Sequence, residues 1–151
     1  MALDFDKDAA RGNDMLRMLS EELKISGDKA GSILRAVLYA VRSKISIDES
    51  FQVIAQLPMA LKAVYVDEWD PWHSFHRMQH LDQFIAELHK FDKSSAEYDL
   101  GNAESAKRAV RAVFFTLKHY LSDGGFRDII AVLPLEIKKF ITGSIEHETS
   151  Y

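Results

Sequence analysis

The sequence predicts an all-α fold, a compact helical domain built from two similar multi-helix repeats. Three observations carry that expectation. Apolar residues recur at spacings of three and four through most of the chain, and no strand-type alternation runs long enough to compete. Cap-type residues stand just ahead of the apolar runs, as in Ser46-Ile47-Asp48-Glu49, where hydroxyl and carboxylate can satisfy each other's helix-start donors. Finally, Arg35-Ala36-Val37-Leu38-Tyr39 followed by Leu57-Pro58 returns as Arg111-Ala112-Val113-Phe114-Phe115 followed by Leu133-Pro134, each position 76 residues on.

Taken in order, residues 1–12 show no period and read as a flexible lead-in. The first repeat, 13–65, opens with Asn13 as a cap and continues through Met15, Leu16, Leu19 and Leu23 at helical spacing. Ser26-Gly27-Asp28 interrupts it. A second helix carries Ile33, Leu34, Val37, Leu38 and Val41, with Ile45 closing the stripe. A third comes after the Ser46–Glu49 box with Phe51, Ile54 and Leu57, and Pro58 opens a short fourth through Leu61, Val64 and Tyr65. Residues 66–80 form a connector rich in aromatics and histidines. The second repeat, 81–143, begins with Leu81, Phe84, Ile85 and Leu88, crosses a polar linker at Ser94–Gly101 and resumes after Asn102. Gly124-Gly125 replaces the carboxylate of the capping box after Ser122, so that helix start is expected to be weaker. Residues 144–151 read as a polar tail.

Composition narrows the classes. With 47% hydrophobic and 28% charged residues the 151-residue chain is globular, and a chain this long buries roughly 70% of its unfolded surface without staples. The absence of Cys removes disulfides and thiolate chemistry and suits a reducing compartment. Met1 to Asp8 is acidic where a signal peptide is basic and then apolar, and no apolar run reaches membrane-span length. A cytoplasmic protein without membrane attachment is the expectation. The net charge of −4 disfavours nucleic acid, which demands a basic surface.

The Leu-Pro pairs, joined by Val64-Tyr65-Val66-Asp67-Glu68-Trp69-Asp70-Pro71 and followed by Leu81-Asp82-Gln83-Phe84-Ile85, resemble the bacterial domain of unknown function 2267 family over about Met15 to Ile141. The resemblance implies tandem helical repeats and a bacterial setting, and it implies no reaction. Glu68 stands where the family more often has Gly before the tryptophan, and Val132 where the first repeat has Gln56.

The densest chemistry lies in the connector. A helix beginning before His73 would set His73, His76 and His80 on one face, where imidazoles can ligate a zinc-like ion with Asp67 or Asp70 supplying oxygen. Against this, Pro71 and a capping Ser74 would hold His73 in a loop and break that face. Trp69, Trp72 and Phe75 can anchor a partner or plug the seam between the repeats. Arg35 and Arg111 share a repeat position and can hold an anionic ligand, or lay their stems along the core edge with their guanidinium groups on neighbouring acceptors. Lys107, Arg108, Arg111 and Lys118 make one helix locally basic, which is the usual pattern of a solvated face. No nucleophile elbow and no phosphate-cradling glycine loop is present, so no catalytic residue and no cofactor is assigned. The expected role is a non-catalytic interaction or stress-associated module with a protein partner. The alternative is a metal- or small-ligand-binding protein, conceivably hydrolytic, using the connector histidines and carboxylates.

Overall fold

A computed structural model describes residues 3–72 and 80–149 of the chain. Among these there is no strand, and eight helices succeed one another: α1 (Phe5–Leu23), α2 (Gly27–Arg42), α3 (Ile47–Gln56), α4 (Met59–Val66), α5 (Leu81–Phe91), α6 (Ala103–Tyr120), α7 (Asp123–Ala131) and α8 (Leu135–Thr149). The all-α expectation holds.

Helices α2 and α6 touch each other, and most of the other helices lie against one or both. Their sequences suit that position. Ala30, Ala36 and Ala40 on α2, and Ala106, Ala109 and Ala112 on α6, are buried small residues that let neighbouring axes approach from several sides. Val37 and Leu38, Val113 and Phe114 are buried with them in one hydrophobic core. Helix α1 lies on α2, α4 and α6; α5 lies on α2, α6 and α8; α3 lies on α7. Gly12 is required by the first of these arrangements, because a Cβ there would stand 2.8 Å from the Ala60 Cβ of α4.

Two ion pairs lash α5 along α2. Lys29, in the first turn of α2, is buried and donates to the Asp92 carboxylate at 2.8 Å and to the Ser94 carbonyl at 2.9 Å. Lys44, just past the other end of α2, meets Glu87 at 2.8 Å. Truncating one partner of such a pair strands a charge and costs about 3–5 kcal/mol.

Several boundaries differ from expectation. Residues 5–12 are not a lead-in but the first two turns of α1, capped by Asp4, whose side chain accepts from the Asp6 N–H. Polar residues over the first turns hid the helix, because Asp6 and Asp8 suit a helix start electrostatically but add nothing to an apolar stripe. At the other end α8 continues to Thr149, past the expected start of a tail at 144. In α3 the inward residues are Ser50 and Val53, whereas Phe51 is 56% exposed. The Ser46–Glu49 capping box forms with both of its hydrogen bonds. Ser122 still caps α7 through the Gly125 N–H, and the glycine has a packing reason: a Cβ there would come 3.0 Å from Gln56 Oε1 on α3.

Candidate functional site: the aromatic corner after α4

Helix α4 ends at Val66, and backbone geometry sets the turn beyond it. Asp67 adopts φ −61° and ψ 130°, Glu68 adopts φ 57°, and the Trp69 N–H donates to the Val66 carbonyl at 3.1 Å. That is a type II turn, whose third position favours glycine because it needs a positive φ. The position where this chain departs from the resembling family is thus one where a side chain is strained.

Arg42 fixes the turn from the last turn of α2. Its guanidinium lies 3.8 Å from the centre of the Tyr39 ring and donates to the Tyr65 carbonyl at 2.7 Å and the Asp67 carbonyl at 2.6 Å. Burial pushes this guanidinium below its usual range, opposed by nearby Tyr39, Tyr65, Asp67 and Glu68. Beneath it, the Tyr65 hydroxyl and Ser50 hydroxyl share a hydrogen bond of 2.7 Å with both residues fully buried. Burial pushes the Tyr65 hydroxyl well above its ordinary value, and the Ser50 hydrogen bond and Arg42 only partly oppose this.

Trp69 is delivered onto that base. Its ring meets Tyr65 edge-on at 6.0 Å and Phe51 edge-on at 6.1 Å, and the residue is half-buried. It therefore caps the α3–α4 corner. Three residues on, Trp72 is 88% exposed, its backbone N–H donating to the Asp70 side chain at 3.1 Å.

The remaining candidates are spread over the surface. Arg35 is exposed on α2, whereas Arg111 is half-buried, stacking 5.0 Å from the Phe140 ring centre and donating to Ser144 Oγ at 3.2 Å. The two arginines, 76 residues apart in the sequence, thus have different environments. His80 stands just before α5 and meets Glu136 of α8 at 2.9 Å, both side chains exposed. His73, His76 and Phe75 lie outside the described residues. Among the described residues no group of three His, Cys, Asp or Glu side chains is placed to hold a metal ion. Two basic residues of α6 meet acceptors: Lys107 lies 3.8 Å from Glu104, and Arg108 donates to the Glu22 carbonyl at 3.1 Å.

Arg42 was missed by sequence reasoning. Its partners lie 23 and 25 residues away, and the only local signal was a basic residue in the last turn of a helix. His89 is a second surprise: its Nδ1 is buried without a hydrogen-bond partner among the described residues.

Among the described residues no helix is long and apolar enough to cross a membrane. No curated protein matches the chain. Residues 12–140 match the family described as "Uncharacterized conserved protein (DUF2267)", the span over which the linked Leu-Pro repeats and the Tyr65/Trp69 connector point to it, and the chain belongs to that family.

Proposed function

We propose that this protein is a non-catalytic interaction module of the bacterial cytoplasm, built from two like helical units and read by a protein partner at the aromatic corner. The observation that carries the reading is the exposure of Phe51 against the half-buried Trp69, with Trp72 exposed three residues further on. Large aromatics held on a fixed turn are the usual anchors of a protein interface, because they bring much apolar area at small entropic cost. Arg42 supplies the fixing: it holds the turn by backbone carbonyls, so the presentation of Trp69 does not depend on the exposed side chains around it.

The division into two units rests on helix starts and on contacts. Helices α1 to α4 begin at 5, 27, 47 and 59, and α5 to α8 begin at 81, 103, 123 and 135, each 76 residues later. The cross-contacts are reciprocal: α1 lies on α6 as α5 lies on α2, while α2 meets α6 and α3 meets α7. That is the pattern two copies related by a twofold axis would make. A stress-associated role is the setting we assign to such a module.

The test compares wild type with Phe51→Ser, which gives up an edge-on contact with Trp69 worth about 0.5–1.5 kcal/mol and should stay folded, and Trp72→Ala, which is expected to melt as wild type does. Immobilised wild type should retain a defined bacterial protein that both variants lose. Equal retention by wild type and variants would place the interface elsewhere and overturn the reading.

A further inference from the structure

The chain's net charge of −4, with histidines neutral, is not spread evenly. Residues 47–72, which make α3, α4 and the turn beyond them, hold Asp48, Glu49, Asp67, Glu68 and Asp70 against one cation, Lys62. That segment alone therefore carries −4, and the rest of the chain sums to neutral. The same segment holds both tryptophans of the chain and the exposed apolar side chains of Phe51, Met59, Val66 and Trp72.

The carboxylates flank the aromatic corner from two sides. Asp48 and Glu49 stand in the first turn of α3, directly before Ser50 and Phe51, which touch Tyr65 and Trp69. Asp67 and Glu68 form the middle of the turn that delivers Trp69. Asp48, Asp67 and Glu68 are exposed, and among the described residues no ion pair engages them. Arg42 lies within the field of Asp67 and Glu68, but it donates to the backbone carbonyls of Tyr65 and Asp67. Like charges crowded at one corner repel one another, and a partner's cations relieve that repulsion on docking. Aromatic rings add to the preference, since their faces attract ammonium and guanidinium groups. An acidic partner would meet the same rings across a repulsive rim.

We infer that the partner read at the aromatic corner is a basic protein segment. It sets apolar side chains on Phe51 and Trp72, and lysine or arginine against Asp48, Asp67 and Glu68. This rests on the corner being the interface and adds the chemistry of what docks there.

Trp69 and Trp72 are the chain's two tryptophans, so indole fluorescence of the unlabelled full chain reports on this corner. The test titrates a blocked synthetic peptide of Lys-Leu-Lys-Ala repeats, which brings no tryptophan of its own. A saturable change in emission is expected, weakening as salt rises because exposed charges are screened beyond about 10 Å at roughly 0.1 M. Asp48→Asn, Asp67→Asn and Glu68→Gln combined keep the side-chain shapes and should weaken the peptide about tenfold. Phe51→Ser should weaken it as well. The peptide with Glu for Lys should cause no change, and the equally charged peptide with Ser for Leu should bind at least about tenfold more weakly. Absence of a saturable change with the Lys-Leu peptide, or equal binding of the Glu-Leu peptide, would overturn the inference. Equal binding of the Lys-Ser peptide would reduce it to general attraction between opposite charges and overturn it too. If the triple variant retained the bacterial protein that Phe51→Ser and Trp72→Ala lose, the corner would stand as an interface and the basic partner would fall. Peptide binding undiminished in Phe51→Ser would move the contact off the corner and overturn both. The peptide comparisons use wild type alone, so they stand even if a variant fails to fold.

Discussion

The buried Ser50–Tyr65 hydrogen bond gives the sharpest test of how the first corner is held. Both residues are fully buried and their hydroxyls lie 2.7 Å apart, so each is the other's side-chain partner inside the core. Tyr65→Phe removes one hydroxyl and strands the other; Ser50→Ala does the same from the opposite side. A stranded buried hydroxyl costs about 1–3 kcal/mol. The double variant replaces both groups with apolar ones, leaving neither hydroxyl stranded. Its cost should therefore fall short of the sum of the singles by at least about 1 kcal/mol. Urea unfolding monitored by far-ultraviolet circular dichroism measures all four proteins, with the slope expected to stay constant. In thermal melts each kcal/mol should appear as about 2–4 °C for a chain of this size. Singles costing less than about 0.5 kcal/mol, or a double variant equal to their sum, would refute the reasoning.

Stability should also fall in alkali: the folded state raises the Tyr65 and Tyr98 hydroxyls, so their contribution is complete below the unfolded value of about 10 and is lost as pH rises above it. Urea midpoints across that range should show the decline, and Tyr65→Phe should flatten it. Glu68→Gly should stabilise the protein by about 0.5–1 kcal/mol, because φ 57° strains a side chain but not glycine; a destabilised variant in the same melts would count against the turn assignment. Leu38→Ala or Phe114→Ala, at matching core positions on α2 and α6, should each cost about 2–5 kcal/mol in urea. Joint replacement of His73, His76 and His80 by alanine should leave the melting temperature within about 2 °C, since the described pair of His80 with Glu136 is exposed; stoichiometric metal in tag-free wild type that this variant loses would establish the metal-binding alternative instead.

The fold was legible where burial is periodic. Helix α2 shows this best: its stripe of Ile33, Leu34, Val37, Leu38 and Val41 is buried as the spacing predicts. The Ser46–Glu49 box marked the α3 start to the residue because capping is a local interaction between groups three positions apart. Where burial is not periodic the pattern misleads. The first turns of α1 carry acidic and basic residues and few apolar ones, and α3 turns Ser50 inward and Phe51 outward against what hydrophobicity alone suggests. The inversion in α3 has a cause outside the helix, for the Ser50 hydroxyl is taken by Tyr65, fifteen residues on.

The same distinction between local and distant causes governs the candidate site. Trp69 announced itself as an indole in a polar connector, but its lean on Phe51 and Tyr65 results from a turn held by Arg42, and pairing across 25 residues leaves no local trace in the chain.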